Sequence, residues 1–205
     1  LHVHFGAGRL GLGLVMGAIV KGGRPFAIVQ RPKATWKDIT SKGCGAEVDL
    51  SVNNEIVASE VVVISEECDI IDYLGRGVDK VIAVVGDRPT LLQLVHMATS
   101  FSCSLGPAMN KAMAPLLSEL PVRPDGERPV LYACENDHDL VEKVGVVLEG
   151  KVDTVACMVD RICTGRTIEP DVIDVSAETV FDGSLVVLDP PSDLSRVPFA
   201  GDNVV

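Results

Sequence analysis

The fold of this chain is decided by its opening stretch, His2-Val3-His4-Phe5-Gly6-Ala7-Gly8-Arg9-Leu10-Gly11, which places G-x-G-x-x-G directly after a short strand-like run. In such a turn, Gly6 permits a tight bend, Gly8 lets the backbone approach a pyrophosphate, and Gly11 lets the following helix pack close to the strand. Residues 6–11, called the glycine turn below, therefore predict a dinucleotide-binding connection between a strand and a helix.

The residues after the glycine turn supply the setting that this motif requires. A helix is predicted from Leu10 to Lys21, with an apolar face and with Gly13 and Gly17 small enough to approach a sheet. Gly22-Gly23 end it, and Phe26-Ala27-Ile28-Val29 form a continuous apolar run typical of a strand buried on both faces. The predicted contacts to the cofactor phosphates come from Gly6, Ala7, Gly8, Arg9, Leu10 and Gly11.

The residue that closes the second strand bears on the choice of nicotinamide cofactor. An NAD-binding domain carries Asp or Glu there to bond the ribose 2′-OH, whereas this chain has Gln30, followed by Arg31-Pro32-Lys33. Without the carboxylate, Arg31 and Lys33 could bind a 2′-phosphate. The pattern predicts NADP, or else NAD with a solvated basic loop, and Gln30 and Arg31 are candidate cofactor-binding residues.

Composition excludes several classes of function. The 205 residues carry a net charge of −11, which disfavours nucleic-acid binding, and the apolar runs are too short to cross a bilayer. Six cysteines show no C-x-x-C pair, so we expect small buried side chains in a reducing compartment, without disulfides or a metal site. The prediction is a cytoplasmic protein, or an organelle stroma protein if Leu1 follows a removed transit peptide.

Strand and helix patterns alternate along the rest of the chain and predict an α/β fold: a doubly wound, mostly parallel sheet of the Rossmann type, with extra β-strands near the C-terminus. Residues 1–190 are expected to form this domain, and residues 191–205 a linker toward a C-terminal helical domain outside this chain. Predicted strands are 55–64, 81–85, 101–105, 130–134, 154–158, 172–175 and 184–188; predicted helices are 66–74, 89–98, 108–120 and 139–148, with a short helix or loop at 36–39 and a polar loop at 121–129.

Three segments lie just past predicted strands, where ligands bind in such sheets. They are Ser104-Leu105-Gly106-Pro107, Cys134-Glu135-Asn136 and Val159-Asp160-Arg161-Ile162. Together with His4-Phe5-Gly6-Ala7-Gly8, the A-C-E-N and V-D-R-I segments resemble the mannitol dehydrogenase family, over nearly the whole chain.

The resemblance implies hydride transfer between a nicotinamide cofactor and a polyol or sugar phosphate, such as a mannitol 1-phosphate-like substrate. It assigns Gly106 to the cofactor, Asn136 and Asp160 to catalysis, and Arg161 to substrate binding. The family's proton-transferring lysine belongs to a C-terminal helical domain and is not matched in this sequence. We therefore expect this chain by itself to be inactive, with such a domain as its partner.

Other interpretations remain open at this stage. Asp160 and Arg161 could form a structural ion pair, and Asn136 or Asp137 could cap the next helix. The chain could also be a non-catalytic NAD(P)-binding module or redox sensor. A third class, the S-adenosylmethionine-dependent transferases, shares the glycine-rich turn but does not account for Gly106 or Asn136.

Overall fold

Alternating strands and helices are present in the computed structural model, which describes residues 1–121 and 126–205. The strands are β1 His2–Phe5, β2 Phe26–Gln30, β3 Ala46–Val52, β4 Glu55–Ser65, β5 Lys80–Val84, β6 Ser100–Cys103, β7 Val130–Cys134, β8 Asp153–Asp160, β9 Cys163–Ile168, β10 Val172–Ala177 and β11 Ser184–Val187. The α-helices are α1 Met16–Lys21, α2 Lys37–Thr40, α3 Ile70–Gly75, α4 Arg88–Met97, α5 Met109–Leu117 and α6 His138–Val147.

One mostly parallel sheet contains all of these strands, in the order β11-β8-β7-β6-β1-β2-β5-β4-β3-β10-β9. Its central part, from β5 through β2, β1, β6 and β7 to β8, is parallel throughout and has the strand order of dinucleotide-binding domains. Antiparallel pairing appears between β11 and β8, β3 and β4, and β9 and β10. The predicted Rossmann-type α/β fold, with extra strands near the C-terminus, is confirmed.

The two faces of the sheet have separate apolar cores. On one face, Phe26, Ile28 and Tyr132 pack against the first helix and Trp36. On the other face, the alternate strand residues, such as Ala27 and Phe101, pack against α3 to α6. Because side chains alternate along a strand, the nearly continuous apolar runs supply both faces.

The first helix lies inside a curl of the sheet. Residues 9–21 are helical without a break, including a π-helical turn at Gly11–Val15, and Leu14, Val15 and Ile19 are fully buried. A Cβ on Gly13 would lie 2.7 Å from the Cys163 Sγ and 2.9 Å from a Val175 methyl carbon. The predicted close approach of Gly13 to the sheet is therefore confirmed, and it is made by the strands that fold back over the helix.

Sequence patterns missed two strands and misplaced one helix. Strand β3 has alternating apolar residues, and β9 carries Thr164, Arg166 and Thr167 without an apolar pattern, yet both pair in the sheet. The helix predicted at 66–74 begins at Ile70, because Asp69 caps it by accepting the backbone N–H groups of Ile71 and Asp72. The other predicted helices and strands are present, with ends shifted by a few residues.

The expectation of six unpaired cysteines is wrong at two positions. Cys44 and Cys68 form a disulfide across 24 residues of sequence, with a Cα–Cα distance of 5.6 Å. The return of β4 along β3 brings the two loops together, which no local spacing encodes. Cys103, Cys134 and Cys157 are free and buried, as predicted, and Cys163 is free and half-buried.

Three further features concern the chain outside the central sheet. Among the described residues, no helix is both long and apolar enough to cross a membrane. Residues 122–125 of the predicted polar loop lie outside the described part of the chain.

In the predicted linker, Phe199 is buried against Tyr132, with ring centroids 5.3 Å apart, and the Ala200 N–H donates to the Ala18 carbonyl.

We predict that Gly11→Ala strongly destabilises the fold while Gly8→Ala does not. A Cβ on Gly11 would lie 2.3 Å from the Gly6 carbonyl oxygen, whereas a Cβ on Gly8 meets no atom within 4 Å. Because the first contact is with backbone, we expect a loss of about 3 kcal/mol for Gly11→Ala. Urea unfolding of both variants measures the difference, and equal stabilities would contradict the close packing described here.

Candidate functional site

The glycine turn is held tightly at its two ends and is open in the middle. Gly6 has a φ of +118°, which suits glycine, and a Cβ there would lie 2.6 Å from the Ser104 carbonyl oxygen. Gly11 lies against Gly6 and Ser104, so it serves helix packing, as its place in the motif predicts. The space over Gly8 is free, which leaves the backbone there accessible to a ligand.

A cavity of about 420 Å³ opens beside the glycine turn, at the carboxyl ends of β1, β2 and β5. Gly6, Gly8, Gln30 and Arg31, four of the residues predicted to bind the cofactor, line it. Its apolar wall comes from Val85, Leu91 and Leu116, and Lys33 and Lys111 add positive charge. No acidic side chain is among the described residues that line this cavity, so the lining suits an anionic ligand with an apolar part.

Strand β2 ends at Gln30, as its sequence predicts. The Gln30 side-chain amide donates to the Arg31 carbonyl oxygen at 2.7 Å, so it folds onto its own loop. Arg31 and Lys33 are exposed beside the cavity. Within residues 1–121 and 126–205, neither is in an ion pair with a carboxylate. Both side chains are therefore available to an anion at this position.

Strand β9 crosses the glycine turn and places a second arginine there. The Arg166 guanidinium donates to the Ala7 carbonyl and lies 5.6 Å from the centre of the Trp36 ring. Arg9 donates to the Thr164 carbonyl oxygen at 2.8 Å. Burial and the neighbouring Arg9 lower the pKa of Arg166. Ala7 and Arg9 thus contact β9, and the half-buried Leu10 packs against the core beneath the turn.

A buried carboxylate holds the loop that contains Gly106. Glu135 accepts hydrogen bonds from the backbone N–H groups of Leu105 and Gly106, the latter at 2.7 Å. Burial raises the pKa of Glu135, although these two bonds partly oppose the shift. Gly106 has a φ of +55°, and it does not line the cavity beside the glycine turn. Glu135 therefore fixes the end of β7 to the loop after β6.

The side chain of Asn136 is engaged by the neighbouring strand. Its amide donates to the Val159 carbonyl oxygen at 2.7 Å, and its oxygen accepts the Val159 N–H at 3.0 Å. The cap of α6 is Asp137, which accepts the Leu140 N–H at 3.0 Å. Of the two capping interpretations, the one for Asp137 is therefore confirmed, while Asn136 connects the carboxyl end of β7 to β8.

Asp160 and Arg161 lie at the end of β8 and point to different surroundings. Asp160 is exposed, whereas Arg161 donates to the Gly13 carbonyl oxygen at 2.6 Å and lines a second cavity of about 650 Å³ with Gly17 and Asp182. In the part of the chain that the structure describes, the two side chains form no ion pair with each other. Asp160, Arg161 and Asn136 are not among the residues that line the cavity beside the glycine turn.

Below the glycine turn, two buried histidines of β1 alternate with Ser100 and Ser102 of the neighbouring β6 and with Ser104, which follows that strand. His2 contacts Ser100 through Nδ1 and Ser102 through Nε2, both at 2.8 Å. His4 contacts Ser102 through Nδ1 at 2.7 Å and Ser104 through Nε2 at 3.1 Å. The Ser104 hydroxyl then donates to the Gly6 carbonyl oxygen at 3.3 Å. This set is called the His–Ser chain below.

Both imidazoles of the His–Ser chain are kept neutral. Burial lowers the pKa of His4 to about 4, although the Gly6 carbonyl partly offsets this effect. The pKa of His2 lies well below its usual range, first through burial and then because protonated His2 and His4 would repel each other and Arg24 adds positive charge nearby. A charged imidazole in this position would lose its hydration without gaining an acidic partner.

Sequence reasoning gave no role to Glu135, Lys111, Arg166 or the His–Ser chain. One local signal was present: H-x-H at residues 2–4 and S-x-S-x-S at residues 100–104 put polar residues at a period of two within apolar runs. That period places each set on one face of its strand. No local pattern indicates Arg166 or Lys111, because only the tertiary structure brings Arg166 to the glycine turn and Lys111 to the cavity.

Comparison with known proteins finds likeness in fold alone. A scan against protein-family models finds no match, and a search of curated proteins finds none either. Among solved structures, 2-dehydropantoate 2-reductase from Geobacter metallireducens GS-15 matches with a TM-score of 0.55 and 13% identity, over 96% of this chain and 52% of that one.

Two other solved structures show the same relation. The 2-dehydropantoate 2-reductase from Porphyromonas gingivalis W83 matches with a TM-score of 0.54 and 10% identity, over 94% of this chain and 56% of that one. Octopine dehydrogenase, in a structure with NADH and pyruvate, matches with a TM-score of 0.54 and 8% identity, over 100% of this chain and 49% of that one. The chain spans about half the length of these proteins.

We predict that stability falls as the pH is lowered from 6.5 toward 4. In the unfolded chain His2 and His4 bind protons near pH 6.5, but in the folded chain His4 stays neutral down to about pH 4. The unfolded state then binds more protons, so the free energy of unfolding decreases through this window. For His4 the full effect is on the order of 3 kcal/mol. Urea unfolding across this range measures it.

A second variant separates the contribution of Glu135 from that of the two histidines. Glu135, whose pKa is raised, stabilises the fold as the pH falls, so the slope is also measured in Glu135→Gln, where it should steepen. A flat profile in Glu135→Gln would contradict the neutral, buried state of His2 and His4.

Proposed function

We propose that this chain is the NAD(P)-binding domain of an oxidoreductase, with NADP favoured over NAD. The observation that carries the proposal is the cavity over Gly8, which has open backbone at one end, an apolar wall, and Arg31, Lys33 and Lys111 around it. This lining fits a dinucleotide, which has an apolar base and a strongly anionic phosphate group. When bound, a nicotinamide cofactor accepts or donates the hydride.

Within this proposal each part of the cavity has a task. The open backbone at Gly8 lets the pyrophosphate approach, and Arg31 and Lys33 act as donors to the 2′-phosphate. Gln30 supports this assignment because it replaces the carboxylate that would repel that phosphate, and its amide stays on the Arg31 carbonyl. Lys111 approaches the same cavity from α5 and adds a further counter-charge.

The finer proposal is that the parent enzyme oxidises a polyol or polyol phosphate, of the mannitol 1-phosphate kind. It rests on the resemblance of the A-C-E-N and V-D-R-I segments to the mannitol dehydrogenase family. In this proposal the exposed Asp160 accepts from substrate hydroxyls, and Asn136, held by Val159, contributes to the substrate oxygen site. Alcohol oxidation also needs a general base, which we assign to a C-terminal helical domain.

A non-catalytic NAD(P)-binding module is the second candidate. It is favoured by the engagement of two of the three side chains assigned to the substrate site: both ends of the Asn136 amide bond Val159, and Arg161 bonds the Gly13 carbonyl. Turnover of mannitol 1-phosphate and mannitol with NADP separates the candidates. Activity restored by a family C-terminal domain, in cis or in trans, supports the enzyme, and cofactor binding without restored activity supports the module.

We predict that Gly8→Val abolishes NADPH binding and leaves the domain folded. The valine side chain would fill the space over Gly8 that the pyrophosphate needs, and no protein atom lies within 4 Å of the new Cβ. Calorimetric titration with NADPH measures binding, and the melting temperature reports folding. Gly75→Val is the control, because Gly75 is equally open but lies outside the cavity. Unchanged binding by a folded Gly8→Val variant would remove the phosphate role of the turn.

We predict that Arg31→Ala weakens NADPH binding by about tenfold or more and leaves NADH binding nearly unchanged, because a charge-assisted hydrogen bond to the 2′-phosphate is lost. Titration with both cofactors measures the ratio of the two affinities. Arg76→Ala, which removes an exposed arginine paired with Asp72 outside the cavity, should change neither affinity. Equal losses for both cofactors would rule out the 2′-phosphate role.

A further inference from the structure

The His–Ser chain has one consistent arrangement of its protons. Since a carbonyl oxygen can only accept, the Ser104 hydroxyl donates to Gly6, and Ser104 must then accept from the His4 Nε2. A neutral His4 that donates from Nε2 accepts at Nδ1, so its donor there is the Ser102 hydroxyl. The orientation of each group in the chain is therefore set by its neighbour.

The same assignment of donors and acceptors continues to the far end of the His–Ser chain. Ser102, whose proton goes to His4, accepts from the His2 Nε2, and His2 Nδ1 accepts from Ser100. Both imidazoles are therefore Nε2–H tautomers, and all five bonds run in one direction, from Ser100 to the carbonyl of Gly6. The register of the parallel strands permits this, because His2 lies opposite Ser100 and His4 opposite Ser102.

The His–Ser chain ends where the cavity, the glycine turn and the start of the first helix meet. Ser104 lines the cavity, and its carbonyl oxygen would lie 2.6 Å from a Cβ on Gly6. A Cβ on Gly11 would lie 2.5 Å from the Ser104 hydroxyl and 2.9 Å from the His4 Nε2. The last two groups of the chain thus touch the first glycine of the turn and the start of the first helix.

We propose that His4 is a positioning residue for the dinucleotide: through Ser104 and the Gly6 carbonyl, the one-directional His–Ser chain fixes the glycine turn in the shape that receives the pyrophosphate. This inference rests on the proposed function for its ligand. An apolar pair of strands would pack as well in this place, but it would offer no hydrogen bond to the turn. A polar chain in a buried site has a defined geometry because each unsatisfied group is costly.

Two serine substitutions in the same strand test this role. Ser102→Ala removes the donor to His4 Nδ1, so His4 is held from one side only, by Ser104. Ser100→Ala deletes the same hydroxyl at the far end of the chain and leaves the bonds of His4 in place. Both serines are buried, and neither lines the cavity, so any effect on a ligand must pass through the chain.

The experiment combines nitrogen NMR of the histidine rings with calorimetric titration of NADPH. In the wild type, we expect both rings to show the Nε2–H tautomer. In Ser102→Ala, the Nδ1 signal of His4 should shift because this nitrogen loses its hydrogen bond, and the affinity should fall about tenfold, the equivalent of one hydrogen bond. In Ser100→Ala, the His4 tautomer and the affinity should stay as in the wild type, even if both variants melt at similarly reduced temperatures.

The outcomes separate this inference from the proposed function. An Nδ1–H tautomer of His4 in the wild type, or equal affinities of the two variants, would overturn the positioning role. If the wild type binds no NADPH, the proposed function fails, and amide hydrogen exchange at residues 6–11 still decides the inference: Ser102→Ala should speed it and Ser100→Ala should not. If Ser102→Ala fails to fold, amide hydrogen exchange at residues 6–11 is measured in Ser104→Ala instead. Unchanged exchange rates in that variant would overturn the positioning role of the His–Ser chain.

Discussion

The close approach of the Gly6–Gly11 turn to Ser104 is the constraint on which the rest of this structure depends. Three backbone segments meet there, and none of them leaves room for a methyl group on Gly6 or Gly11. This contact sets the distance between the first helix and the sheet, and it leaves Gly8 facing the cavity. The same close packing that stabilises the fold therefore shapes the surface that we assign to the pyrophosphate.

The outer strands determine how the first helix is enclosed. Strands β3, β10 and β9 carry the sheet around it, and β9 places Arg166 on the Ala7 carbonyl. The disulfide between Cys44 and Cys68 links two loops at the end of this region. Glu66, close to Cys68 in sequence, accepts the N–H of Gly86, which lines the cavity. The cavity wall is thus connected to parts of the chain well outside the Rossmann-type centre.

Charge is distributed unevenly in this molecule. The chain carries a net charge of −11, yet the cavity beside the glycine turn is lined by Arg31, Lys33 and Lys111, with no acidic side chain among its described lining residues. An anionic ligand responds to these nearby groups more than to the total charge, because distant surface charges are screened by salt. The negative net charge of the chain and the positive lining of this cavity are therefore compatible.

The sequence by itself determined the glycine turn, the helix after it and the order of strands and helices through most of the chain. These features depend on local spacing: glycines at fixed intervals, apolar runs of strand length, and caps such as Asp137. The place of Gln30 and Arg31 at the end of the second strand was also predictable, because that end lies at a known distance from the glycine turn.

Only the tertiary structure decided the features that join distant segments. Strand β9 has no apolar pattern of its own and is ordered by pairing with β10, so Arg166 had no visible role in the sequence. The disulfide and the bonds of Asn136 to Val159 likewise depend on strands brought together by the fold. The His–Ser chain shows both levels: a period of two in each strand was readable, but the register that aligns the two strands exists only in the folded sheet.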